Sequence, residues 1–276
     1  MAARHFKVSG LMAIYKGTNP AWFEQALRSL VEQSVQVDEI VVVADGPCDP
    51  AVKVIPQRFK GSNVRIIEME TNQGLGMALA LGVQHCNGDW VLRMDDDDIS
   101  LPDRVSQQVS FLKEHSDIDV CGGNIEERSE NMASFVGVRK CPENHKKILA
   151  MHKFRNAMNH VTVMARRSAI LQAGNYQKGT IGFEDYDLWF RMMSSGSKFG
   201  NINSTLVLVR FDDSQIKNRT GWKPAMFEFK MQKRFLKQGH IGFAVYVVNI
   251  LWRAFPRFLP KRMFRLLMKF TMRSRK

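Results

Sequence analysis

The stretch DWVLRMDDDDISLPDR, Asp89 to Arg104, runs an apolar segment straight into four carboxylates and then a proline. DWVLRM reads as a buried strand, and Pro102 as the start of a helix reaching roughly to His115. Two like charges about 5 Å apart repel by roughly 3 kcal/mol at an effective dielectric near 20. Acids on a free tail spread apart and escape that cost. Acids pinned between a strand and a helix do not, so something positive belongs beside them.

Outward from this stretch, apolar strands alternate with helical segments. FKVSGLMAIY (Phe6–Tyr15) is a first strand, broken by GTNP. Asn19 with Pro20 starts a helix, and Trp22, Phe23, Ala26, Leu27, Leu30 and Val31 form its apolar stripe. DEIVVVADG, NVRIIEME, DWVLRM and DVCGG are four further strands, and NQGLGMALALGVQHC is a glycine-opened helix. Unbroken apolar strands alternating with helices predict an α/β fold, a mostly parallel Rossmann-like sheet flanked by helices. Ligands of such sheets bind beyond the carboxyl ends of the strands, where Tyr15, Asp45, Asn72 and Asp95–Asp98 all fall. Farther on, NHVTVMARRSAILQAGNY reads as strand, helix and turn. GFEDYDLWFRMMSSG reads as an acidic turn entering a helix with Leu188, Trp189, Met192 and Met193 inward, and NINSTLVLVRF as another strand.

The 276 residues, 45% hydrophobic, suffice for one large domain or two small ones. MAARHFKVSG lacks the apolar run and cleavage site of a secretory signal, so the expected location is cytoplasmic. Cys48, Cys86, Cys121 and Cys141 have no CxxC spacing, which argues against a zinc knuckle or a disulfide framework. The net charge of +13 sits at one end: Lys217–Lys276 holds 16 Lys and Arg against one acid, Glu228, while residues 1–216 hold 24 bases and 26 acids. IGFAVYVVNILW (Ile241–Trp252) is too short to cross a bilayer. After Pro260, Arg262, Arg265, Lys269 and Arg273 line one helical side, and Met263, Phe264, Leu266, Leu267 and Phe270 the other. That pattern predicts an amphipathic helical tail lying on an anionic membrane, with packing on the domain or a dimer contact as the other readings.

In an extended segment, residues i and i+2 point the same way, so Asp95 and Asp97 can share a divalent cation that wants oxygen ligands. So few protein ligands leave room for substrate phosphates, the habit of Mg²⁺ or Mn²⁺ with a nucleoside diphosphate. The plainer reading is a helix start decorated with acids, capped by Asp98 or Ser100.

MDDDDISLPDR resembles the Asp-x-Asp-Asp and Pro-Asp-Arg segment of family 2 glycosyltransferases, which have the A-type nucleotide-sugar-binding fold. VVVADG is similar to their Asp-Asp-Gly segment, NQGLG to their Asn-x-Gly turn, and NHVTVMARRSAILQAGNY and EDYDLWFR to their acceptor-side and Glu-Asp segments. The motifs follow the family's order from Phe6 to about Phe211 and look most like the amylovoran and exopolysaccharide branch.

The resemblance implies a metal-dependent, inverting glycosyltransferase that moves a sugar from a nucleotide diphosphate, usually UDP, onto a saccharide. By the same likeness the acceptor is lipid-linked and met at the cytoplasmic face of the membrane. It implies Asp95 and Asp97 as metal ligands, Asp96 near the ribose, and Asp45 as the acceptor of the base N–H, although Ala44 stands where that Asp usually has an acidic partner. Tyr15 belongs to the loop beside the nucleotide, with Lys16 where Asn is common. Asn72 and Gly74 shape a turn at the nucleotide; Leu79 in place of a third glycine rules out the dinucleotide fingerprint. Arg93 either touches the donor or is a counter-ion to the acids. Asp185 matches the general base, with Glu184 and Asp187 as alternatives, and a capping acid as the plain reading. His160 either lines the acceptor pocket or is a core residue. Arg210 and Arg219, in and beside FDDSQIKNRTGW, are candidates for the diphosphate.

Residues 1–216 are then the catalytic domain, 1–120 its nucleotide half and 121–216 its acceptor half, and 217–276 a basic helical tail. The competing function is a non-enzymatic basic module gripping an anionic membrane, polymer or nucleic acid through that tail. Nucleic acid is the weakest of these partners, since the tail lacks regular aromatic interleaving.

Overall fold

The computed structural model of the chain describes residues 6–59, 61–211 and 221–258. A nine-stranded sheet runs in the order Val64–Glu68, Glu39–Ala44, Val8–Ile14, Trp90–Arg93, Met164–Arg166, Val120–Ser129, Phe199–Phe211, Ile99–Ser100, with Phe135–Arg139 paired on Val120–Ser129. β1 (Val8–Ile14), β2 (Glu39–Ala44), β3 (Val64–Glu68) and β4 (Trp90–Arg93) are mutually parallel, with Leu11 opposite both Val41 and Arg93. β8 (Met164–Arg166) runs against β4 and against β6 (Val120–Ser129), and β9 (Phe199–Phe211) is parallel to β6. Two short antiparallel strands complete the sheet, β5 (Ile99–Ser100) on β9 and β7 (Phe135–Arg139) on β6.

The alternation of side chains along each central strand builds two cores at once. Met12, Ile14, Ile40 and Val42 face one layer, where Phe23, Ala26, Leu27 and Leu30 of α1 (Pro20–Val31) and Val105, Val109 and Leu112 of α4 (Arg104–Glu114) cover them. Leu11, Val41 and Val43 face the other, under α3 (Leu75–His85) and Leu188, Trp189 and Met192 of the helix Glu184–Ser194. Burial on both sides is why these strands read as unbroken apolar runs. Gly82 sets the spacing of α3, since a Cβ there would stand 2.2 Å from Leu11 Cδ1.

The start of α1 is as expected: Asn19 Oδ1 accepts the backbone N–H groups of Ala21 and Trp22, and Pro20 follows. Two expectations change. DVCGG supplies only the start of β6, which stays buried through Ile125, continues through the half-exposed EERS and turns back as β7. Neither Asp98 nor Ser100 caps α4, because the chain first makes β5 and the position before α4 is Asp103, without a side-chain cap.

Three more helices lie between residues 121 and 211: α5 (His145–His152), α6 (Arg167–Gln172) and α7, the Glu184–Ser194 helix already named. The C-terminal segment then folds back onto α7. Phe235 of α8 (Trp222–Lys237) meets the rings of Tyr186 and Phe190. Glu228 of α8 accepts from Arg253 (2.6 Å) and Arg257 (2.9 Å), and Asn249, which ends α9 (Phe243–Asn249), donates to the carbonyl of Lys153 (2.9 Å). Asp187, fully buried, is bridged by Arg191 (2.8 Å) and Arg234 (2.7 Å). Removing one member of such a buried ionic group generally costs about 3–5 kcal/mol, so these contacts fasten α8 firmly. The expected amphipathic helix after Pro260 lies outside the described residues.

Candidate active site

The four aspartates sit where β4 ends, and three of them converge. Carboxylate oxygens of Asp95, Asp97 and Asp98 all lie within 4.8 Å of one another. Asp96 turns away and accepts a short hydrogen bond from the hydroxyl of Thr18, which also accepts from the N–H of Tyr15 (3.0 Å). The loop is pinned from behind by Arg210, whose backbone N–H donates to Asp98 (2.9 Å) and whose guanidinium donates to the carbonyls of Asp97 and Glu130 and to Gln25. Below it Arg104, with no exposed surface, donates to the carbonyl of Arg93 (2.8 Å), and burial drags its guanidinium down to about 9. Arg93 pairs with Asp95, but its Nε is buried without a partner.

These cations do not cancel the crowding. Burial, then Asp95 and Asp96, push the Asp97 carboxyl up to about 6, and burial with Asp95 and Asp97 lifts Asp98 well above the usual range. Clustered oxygen donors whose charges resist being held together fit a hard divalent cation of the Mg²⁺ or Mn²⁺ kind. Asp98 joins the pair expected from spacing, because the chain bends after Asp97 and the two-residue period stops applying.

Asp95 and Asp98 open onto a cavity of about 390 Å³ whose other walls carry His160, Glu184 and Asp185. Asp185 Oδ2 accepts from the Asn156 side chain (2.6 Å) and Oδ1 from the N–H of Tyr186 (2.8 Å). Its carboxyl is raised by burial, which outweighs those hydrogen bonds and Arg93. Glu184 accepts from the N–H of Gly182 (2.6 Å) and is raised by burial and by Asp185. Asp187 points the other way, into its two arginines, as helical geometry requires two residues on from Asp185. His160 Nε2 meets the Tyr176 hydroxyl at 2.8 Å above the edge of Trp189, and burial, with Arg93, drives the imidazole well below its ordinary value, so it is neutral.

The remaining candidates form the rim of the parallel half. Asp45 accepts the N–H groups of Gln73 (2.7 Å) and Gly74 (2.9 Å), and Asn72 donates to its carbonyl (3.1 Å), so the carboxylate holds the turn. Gly46, at φ +80°, lets that turn approach: a Cβ would lie 2.5 Å from the nitrogen of Asn72. Tyr15 is exposed at the same end of the sheet. Arg210 is committed to the aspartate loop and to the Trp22 ring, while Arg219 lies outside the described residues. Asn156 and Thr18, which orient Asp185 and Asp96, have no motif to reveal them. Arg139, which ends β7, with Lys140 and Arg155 in the loops beyond, also lies on the cavity wall, and no periodic signal marks the three.

A family model described as Glycosyl transferase family 2 matches residues 11–173. The chain belongs to that family. Amylovoran biosynthesis glycosyltransferase AmsE of Erwinia amylovora is 32% identical over 260 residues, covering 94% of this chain and 97% of the relative. The UDP-Gal:alpha-D-GlcNAc-diphosphoundecaprenol beta-1,3-galactosyltransferase of Escherichia coli is 32% identical over 255 residues, 92% of each chain. Among solved structures, the mannosyltransferase PcManGT from Pyrobaculum calidifontis, in complex with GDP-Man and Mn²⁺, superposes with a TM-score of 0.65 at 14% identity, over 96% of this chain and 74% of that one. The sheet and its helices are thus the A-type glycosyltransferase fold.

Proposed function

We propose that this family 2 glycosyltransferase is metal-dependent and inverting, and that it transfers a sugar from a UDP-sugar to a lipid-linked saccharide during cell-surface polysaccharide synthesis. The observation that carries the reading is one cavity bordered by Asp95 and Asp98 on one wall and Asp185 on another. The E. coli relative supports the donor and acceptor classes by its name, and AmsE supports the polysaccharide setting. Asp95, Asp97 and Asp98 would hold the divalent ion, which when bound supplies positive charge to the diphosphate. Asp185, held by Asn156 and the Tyr186 N–H, accepts the acceptor's hydroxyl proton as that oxygen bonds to C1 and the C1–O bond to the diphosphate breaks. Attack from the side opposite the leaving group inverts C1. Glu184 is the alternative base, but its carboxylate is turned back onto Gly182. Asp45, Asn72, Gly74, Tyr15, Asp96 and Arg93 border the donor's nucleotide. His160 faces the acceptor.

A thermal-shift screen of UDP- and GDP-sugars with Mn²⁺ tests this. The melting point should rise by several degrees with one UDP-sugar and Mn²⁺ together, and not with the sugar in EDTA. A full shift in EDTA would remove the metal from the reading.

The same proposal places the enzyme on the inner face of the membrane as a peripheral protein. Among the described residues no helix is long and apolar enough to cross a bilayer. Phe243, Val247, Leu251 and Phe255 nonetheless recur every fourth residue on the C-terminal segment and are all exposed, with Trp252 65% and Trp222 68% exposed nearby. Apolar surface on that scale, in a stretch so rich in Lys and Arg, suits an anionic bilayer interface. Sedimentation with phosphatidylglycerol vesicles should show binding that salt weakens and that Leu251→Ser with Trp252→Ser reduces roughly tenfold or more. Equal binding to phosphatidylcholine, unchanged by the substitutions, would refute the placement.

A further inference from the structure

The cavity is lined by both signs of charge. Its acids are Asp95, Asp98, Glu184 and Asp185, and its wall also carries Arg139, Lys140 and Arg155. Two other wall arginines are committed, Arg93 to Asp95 and Arg253 to Glu228. For Arg139, Lys140 and Arg155 no carboxylate partner is found among the described residues, and all three are exposed. Three like charges on one pocket wall, none paired with a carboxylate, favour an anion beside them.

The backbone that carries Arg139 and Lys140 is built to stay put. Three buried amides hold it: Asn159 donates to the carbonyls of Gly123 (2.9 Å) and Arg139 (3.2 Å), Asn124 accepts the N–H of Cys141 (2.9 Å), and Asn201 donates to the carbonyl of Pro142 (2.8 Å). Spending buried amides on a loop that packs no apolar side chain into either core makes sense if the loop's position matters. Arg155 adjoins Asn156, the residue that holds Asp185, so an anion bound there lies on the base's side of the cavity.

We propose that Arg139, Lys140 and Arg155 form a subsite for an anionic group carried by the acceptor, a phosphate or diphosphate beside the acceptor sugar. The inference rests on reading the cavity as the transfer site. It adds to that reading which end of the acceptor is recognised, and by what charge. Arginine forks and a lysine point charge together match the several oxygens of a diphosphate.

The test is isothermal titration of the full chain in EDTA, so that a metal-bridged donor cannot contribute. The probes are decyl diphosphate, inorganic pyrophosphate and neutral decyl glucoside, each titrated into the wild type and into Arg139→Gln/Lys140→Gln/Arg155→Gln. Decyl diphosphate should bind the triple variant roughly a hundredfold more weakly than the wild type, as expected for loss of several charge-assisted contacts. Pyrophosphate should compete in the wild type, and decyl glucoside should not separate the two proteins. If pyrophosphate binds as tightly as decyl diphosphate, the phosphates alone are the determinant and the alkyl chain is not, which still supports the subsite. Equal binding of decyl diphosphate to both proteins overturns it, as does a loss shared by the neutral compound. Metal-dependent donor hydrolysis on the same preparations distinguishes the parent reading. A rise in the variant's donor KM as large as its loss of decyl diphosphate would assign the cations to the donor and overturn the inference. A wild type that hydrolyses no nucleotide sugar with Mn²⁺ counts against the transfer reading, while the titration still decides whether the anion subsite exists. Melting points of both proteins check that the substitutions leave the fold intact.

Discussion

Replacing Asp97 by Asn should lower Mn²⁺-dependent turnover of the sugar donor by roughly a thousandfold and at the same time raise the melting point of the metal-free protein. The first effect follows from losing one of three converging carboxylates while keeping size and shape. The second follows from the sign of the proton linkage. Burial, with Asp95 and Asp96, holds the folded Asp97 carboxyl up at about 6, above the 3.8 of an unperturbed group. The folded chain therefore binds that proton more tightly than the unfolded chain, so the metal-free wild type gains stability as pH falls through 6 toward 4 and loses it as pH rises. Asn removes the penalty at neutral pH. Because an ion competes with the same proton, Mn²⁺ affinity should fall about tenfold per unit below pH 6 for one displaced proton. Calorimetry in EDTA and in Mn²⁺, at pH 5 and pH 7, reads all of these. A variant that keeps full turnover, or that gains as much stability from Mn²⁺ as the wild type, would show that the aspartates are not the ion's ligands.

For Asp185→Asn the expected result is selective. Transfer to the acceptor should drop by roughly 10²–10⁴, the usual contribution of a positioned base, while donor affinity and the Mn²⁺-induced thermal shift stay near wild type. Asn occupies the same volume and still accepts from Asn156 or Tyr186, so the fold has little reason to respond. What it cannot do is take a proton. A residual rate that rises with pH would report hydroxide or another residue taking over that role. Full transfer activity in purified Asp185→Asn would hand the base to Glu184, and full activity in both single variants would end the assignment.

The parallel half was readable because the physics that buries it also writes it down. β1, β2 and β4 are covered on both faces, so their apolar runs have no gaps, and the acids at the end of β4 stand out against them. β7 and the far half of β6 are half-exposed and mix polar with apolar residues, which removes the contrast. β5 is two residues long, too short for any period. Asp185 was visible as part of an acidic helix start, whereas Asn156 was not, because its role depends on a loop that carries it to α7 from 29 positions away. Arg139, Lys140 and Arg155 were hidden for a similar reason. The place of Arg139 and Lys140 on the cavity wall is set by Asn124, Asn159 and Asn201, amides whose spacing along the chain follows no helix or strand repeat.

Glu228 is the only acidic side chain between Lys217 and Lys276, and it is 1% exposed, neutralised by Arg253 and Arg257. The lone histidine there, His240, is pushed below its ordinary value by burial. Lysine and arginine ordinarily stay charged to beyond about pH 9, so the sixteen of them between Lys217 and Lys276 keep their sign at neutral pH. By formal charge the region is almost of one sign, and whatever rests against it meets cations.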